Sequence, residues 1–187
     1  MGSASSDTRA QMLAEIGDVF QAIDAGEATR FVDAVLGARR VFTYGVGREG
    51  LVLRGFCMRL FHLGVDAHVV GDMTTPRCAQ EDLLVTSSGP GYFCTVAALV
   101  DVVHANGGRV ALLTAHRHAK LSQQADLVVV IPGQTMAGET GERRSIQPMG
   151  SLYEQAMWLY LDWVVLHLAD RIGSSFEQMA SRHTNLE

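Results

Sequence analysis

Residues 41–50 read VFTYGVGREG. The β-branched and aromatic run at 41–44 predicts a strand, Gly45, Gly47 and Gly50 follow in the spacing G-x-G-x-x-G, and a helix is predicted over residues 48–62. Strand, glycine turn and helix in this order open a parallel α/β unit. Bare glycines let backbone N–H groups come close to a ligand, so the turn suits a dinucleotide pyrophosphate, a sugar phosphate or no phosphate at all. The spacing by itself leaves all of these open.

Outward from this unit the chain alternates. Strands are expected at 67–70, 83–86, 109–113 and 127–131, with helices over 92–105 and, briefly, near 120–124. Runs such as LLVT (83–86), VALL (110–113) and LVVVI (127–131) are apolar throughout, as strands covered on both faces of a parallel sheet are. The expectation is a three-layer α/β domain. Ahead of it, residues 1–9 read as a flexible Gly- and Ser-containing start, and Met12, Ile16, Val19, Phe20 and Ile23 recur at helical spacing behind a cap at Ser6 or Asp7. A second helix is expected over 27–36. After the last strand comes a Gly- and charge-rich loop, residues 132–147, of a length that favours a functional role. The helix that follows, 151–169, carries Trp158, Tyr160, Trp163, Val165 and Leu166 around too much of its circumference for one buried stripe, which predicts packing between subunits. Gly173 ends it, and Ser174 with Glu177 predicts a capping box for a last short helix. No linker or repeat divides residues 10–187, which read as a single domain.

Composition narrows the partners. A formal charge of −5 and a pI near 5.8, with no basic block beyond the pairs Arg39-Arg40 and Arg143-Arg144, give no electrostatic case for nucleic acid or an acidic membrane surface. The stretch AMWLYLDWVVLHLA (156–169) is interrupted by Asp162 and too short to span a bilayer. Cys57, Cys78 and Cys94 show no C-x-x-C spacing, which suggests reduced thiols of a cytoplasmic protein and neither a zinc site nor a disulfide framework. His116 and His118 lack acidic or Cys companions and read as loop histidines, so no metal site is expected.

In an open parallel sheet the ligand sits beyond the carboxyl ends of the strands. Three loops collect there: YGVGREG, TSSGPGYF (86–93) and LTAHRHAK (113–120). The second offers Thr86, Ser87 and Ser88, then Gly89 and Gly91, whose N–H groups are expected to be free, at the start of a helix. The same glycines also suit a plain strand-to-helix turn. A dinucleotide would ask for an acidic residue at the end of the next strand, and Asp72 is so placed, whereas Asp66 precedes that strand. A compact site between two loops suits a monophosphate better.

The series YGVGREG, HLGV (62–65), SSGPG (87–91), LLTA (112–115), LVVVIPG (127–133), QPMGSLYE (147–154) and RHTNLE (182–187) resembles the sugar isomerase (SIS) domain family, and within it the 6-phospho-3-hexuloisomerases, over residues 10–187. PMGSLYE and the terminal RHTNLE are the specific part. The resemblance implies a three-layer α/β/α sandwich with a five-stranded, doubly wound, flavodoxin-like parallel sheet, a helical pair before it and a helix after it. It implies a homodimer or homotetramer, no cofactor, and interconversion of a 3-ketohexose 6-phosphate with fructose 6-phosphate through an enediol. Such a reaction needs a base beside the carbonyl and a group that moves a proton between oxygens. By the resemblance Glu154 is the base, and His183 assists from a neighbouring subunit's tail. Arg48 and Thr114 would touch the sugar or its phosphate beside Gly45, Gly47, Glu49, Ser87, Ser88, Gly89 and Gly91. A helix-start Glu and a histidine near a chain end have ordinary structural readings as well.

Three departures stand out. Where the family's loop reads S-G-S-G-E-T, residues 88–93 read SGPGYF, so Pro90 removes a hydroxyl and an N–H and Phe93 removes a hydroxyl. Glu49 stands where the family has Ser, and Ala115 where a second Ser often follows Thr114. A carboxylate beside a phosphate pocket is repulsive unless Arg48 or an ion neutralises it. An SIS domain that binds sugar without catalysis, and an isomerase of a non-phosphorylated sugar, are therefore alternative readings.

Overall fold

The computed structural model describes residues 3–136 and 145–186. Helices α1 (Ser3–Gln21) and α2 (Ala25–Leu36) lead into β1 (Val41–Tyr44), α3 (Gly47–Leu63), β2 (Ala67–Val69), β3 (Leu83–Ser87), α4 (Cys94–Ala105), β4 (Arg109–Thr114), β5 (Leu127–Val130), α5 (Ser151–Ile172) and α6 (Phe176–Ser181). The strands form one parallel sheet in the order β2-β1-β3-β4-β5, with Thr43 beside Val85 and Leu113 beside Val129 in register. This is the expected doubly wound α/β sandwich. The chain leaves β1 toward β2 and then returns past β1 to β3, so the switch point, where ligands of such sheets bind, lies between the loops after β1 and β3.

Alternation along the strands builds two cores. Val41, Leu83, Val85, Ala111, Leu113 and Val129 face a large layer made with α2, α3 and α5, including Phe31, Phe56 and Tyr160. Phe42, Leu84, Val110 and Leu112 face a smaller one under Val96, Val100 and Val103 of α4. Side chains of successive strand residues point to opposite faces, so uniformly apolar strands need both layers. Much of the apolar circumference of α5 is covered within the chain: Tyr160 and Val165 are buried, and Trp163 meets Phe20 of α1 edge-on. Trp158, Leu159 and Leu166 remain exposed.

Several local expectations shift. Residues 120–124 make turns and no helix: Gln124 and Ala125 N–H both return to Leu121 O, and Leu121 drops into the smaller core. Four or five residues are too few to nucleate a helix unaided. The last capping box is Ser175 with Gln178, one position beyond the expected Ser174 with Glu177. Ser174 is already engaged in closing α5, its N–H returning to Ala169 O at 2.9 Å after left-handed Gly173, so the next serine caps. Helix α1 begins at Ser3, ahead of Ser6 or Asp7, and α4 begins at Cys94 because Phe93 is extended and serves as N-cap. Of the loop expected over 132–147, residues 137–144 lie outside the described residues.

Candidate active site

The glycine turn after β1 brings strand and helix into contact. A Cβ on Gly50 would lie 2.4 Å from Gly45 O, and one on Gly45 would lie 2.8 Å from Gly50 N, so neither position admits a side chain without moving backbone. Gly47 turns the chain at φ +58°. Two of the three glycines thus serve backbone packing. Asp72, the residue a dinucleotide ribose would need, is ion-paired with Arg54 at 3.2 Å.

From the first turn of α3, Arg48 and Glu49 leave in different directions. Glu49 turns inward at the switch point and is buried. Its Oε2 accepts the Ser87 hydroxyl at 2.5 Å, and the Gly89 N–H lies 3.2 and 3.1 Å from its two oxygens. Burial raises its pKa above the ordinary carboxylate value, and the charge of Glu154 adds to the rise, while the bonds from Ser87 and Gly89 act against it. Arg48 does not neutralise it, contrary to one expected possibility. Arg48 reaches outward, its Nε 2.5 Å from Glu154 Oε2 in a charge contact rather than an aligned hydrogen bond. Glu154 sits in the first turn of α5 with a largely covered side chain.

Tyr153 ties these pieces together, and the sequence reading did not single it out. It is fully buried, its hydroxyl is 2.9 Å from Ser87 Oγ, and its ring lies where a Cβ on Gly89 would approach it to 2.9 Å. With Glu49 ionised, the donors run in one order, Tyr153 O–H to Ser87 and Ser87 O–H to Glu49. Burial, with the Glu49 charge behind it, pushes the Tyr153 phenol well up, so it stays a donor. The signal was available only as a tyrosine next to Glu154, and nothing in its spacing announced Ser87.

The remaining site residues divide. Ser88 Oγ is buried and has no hydrogen-bond partner. Thr114 Oγ1 accepts the His116 N–H at 3.2 Å. The N–H of Gly91, expected to be free, closes a turn onto Ser88 O at 2.9 Å, and that of Gly89 is held by Glu49. The first turn of α4 has no side-chain cap. His183 is elsewhere. Its ring lies 5.1 Å from that of His62, in the last turn of α3, whereas Arg48 and Glu154 are at the start of α3 and α5. Arg48 and His62 are 14 positions apart, which corresponds to roughly 20 Å of helix. Within one chain His183 and Glu154 are not brought together.

Among the described residues no group of three or more His, Cys, Asp or Glu side chains is placed to hold a metal ion, and no helix is long and apolar enough to cross a membrane. The SIS domain family model matches residues 35–158, a span that takes in Glu49, Ser87 and Glu154. The chain belongs to the SIS domain family. Among SIS relatives, it is 37% identical to the 3-hexulose-6-phosphate isomerase of Bacillus subtilis over 95% of this chain and 96% of that one. It is 35% identical to that of Mycobacterium gastri, over 92% and 86%. A solved structure from Methanococcus jannaschii, for which a 3-hexulose-6-phosphate isomerase function was inferred, superposes with a TM-score of 0.80 at 26% identity, covering 96% of this chain and 97% of that one. The SIS match ends at residue 158, so α6 and His183 lie outside it.

Proposed function

We propose that this SIS protein is a ketose isomerase that shifts the carbonyl of a 3-hexulose-type sugar to the neighbouring carbon through an enediol, working in the cytoplasm. The observation that carries this reading is the pairing of Glu154 with Arg48 at the carboxyl edge of the sheet, in a chain matched over most of its length by relatives named 3-hexulose-6-phosphate isomerase. Glu154 takes the proton from the carbon beside the carbonyl and returns it to the adjacent carbon. Arg48, exposed on its outer side, stabilises the negative oxygen that develops in between. Electrons and protons balance within the substrate, so the chemistry calls for no external oxidant or reductant.

His183 completes the site from a second copy of the chain. Two observations support this: its separation from Glu154 within one chain, and the exposed Leu159, Leu166 and Phe176 around a cavity of about 660 Å³ that it shares with His62 and Asp162. A homodimer or homotetramer covers that surface. The test is NMR detection of solvent-proton exchange next to the carbonyl, across a panel of free and phosphorylated ketoses. Glu154→Gln should lower exchange by about a hundredfold or more with the fold intact. Near wild-type exchange in that variant would overturn the assignment.

A further inference from the structure

Glu49 has the position and bonding of a bound anion. Its carboxylate sits between the loops after β1 and β3, where the Ser87 hydroxyl and the Gly89 N–H converge on it at 2.5 Å and 3.1 Å. Beside it Ser88 Oγ is buried without a partner, and Tyr153 closes the floor. The turn that carries it is packed backbone against backbone, a Cβ on Gly50 meeting Gly45 O at 2.4 Å, so the root of the Glu49 side chain sits close to the end of β1. Arg48, the nearest cation on the same turn, is engaged by Glu154. An anionic ligand group entering here meets donors already bonded to one negative charge, with a second negative charge at Glu154.

We infer that Glu49 is a specificity-determining residue that competes from within for the anion clasp at the switch point, disfavouring a phosphate monoester there and leaving ketoses with an uncharged hydroxyl at that place unpenalised. The inference rests on the isomerase reading only for the class of ligand, a ketose. For a phosphate to bind, Ser87 and Gly89 must exchange one anion for another and Glu49 must find another place. A neutral hydroxyl can instead donate to Glu49 and leave its bonds intact.

The experiment is isothermal titration of the 187-residue chain with fructose 6-phosphate and with fructose at pH 8, in the wild type and in Glu49→Ser and Glu49→Ala. The wild type should bind the phosphate no more than tenfold tighter than the free sugar. Each folded variant should gain at least tenfold for fructose 6-phosphate with no gain for fructose. A wild-type preference for the phosphate beyond tenfold overturns the inference, as does a folded variant without the gain. If neither variant folds, the wild-type ratio alone decides. Failure of the isomerase reading looks different: the Glu49 variants would gain phosphate affinity as expected while no ketose exchanges its proton in any form of the protein.

Discussion

The two ends of the α3–α5 pair teach different things. At the carboxyl end of the sheet, Glu49, Ser87, Gly89 and Tyr153 form a closed set in which the donors converge on one carboxylate, and Arg48 is held by Glu154. At the other end the buried His62 and the exposed His183 lie against each other beside exposed Leu159, Leu166 and Phe176. The first region has its polar groups bonded to one another within one chain. The second places an exposed histidine beside an apolar surface, as an interface does. On the proposed reading, a reaction that uses both Glu154 and His183 draws them from two copies of the chain.

The largest effect is expected when the two defects are placed in different copies of the chain. Glu154→Gln and His183→Ala should each lose about a hundredfold in isomerisation. After unfolding and reassembly together, the mixture should recover activity that neither variant has alone, because some sites draw Glu154 from one copy and His183 from another. A mixture as inactive as its components would show that the two ends do not cooperate across subunits.

A smaller effect separates closed packing from open surface. Gly89→Ala drives a Cβ to 2.9 Å from the Tyr153 ring and should cost about 1–3 kcal/mol in denaturant unfolding. Gly17→Ala, in α1 with nothing within 4 Å of the added Cβ, should stabilise by roughly 0.5–1 kcal/mol. Equal effects at the two positions would contradict the tight floor described for the site.

The smallest effect concerns protons. The raised pKa of Glu49 means that the folded chain holds this proton more tightly than the unfolded chain does. Its contribution to stability is therefore fully present below the ordinary glutamate value of 4.5 and is lost as pH rises through the raised value. Tyr153 and Glu154 from α5 face it; the first stays neutral there and the second opposes its ionisation. Compared with Glu49→Gln, the wild type should lose stability over that window and run parallel above it. Thermal unfolding against pH reads this directly, and a wild type that gains stability over the window would refute it.

The sheet was legible because its signals are local. The strands lie on short runs rich in apolar and β-branched residues, and the observed strands fall within a residue or so of the runs that announced them. The helix start that carries Glu154 and the glycine turns were equally readable, since each is set within a few residues. The failures were local too where two signals competed, as when Ser174 was already committed to the end of α5 and left the cap to Ser175. What Glu49 does was not legible. Its partner Ser87 is 38 residues away, and Tyr153 is 66 beyond that, so only the crossing of β1 and β3 with the return of α5 brings the three together. The sequence by itself determined the layers and the strand order's raw material, because periodicity and turn chemistry carry those, while the roles of Glu154 and His183 came from the family resemblance alone. Tertiary structure alone decided that Glu49 faces inward, that Arg48 serves Glu154 and that His183 lies at the far end, because each depends on which distant backbone closes around it.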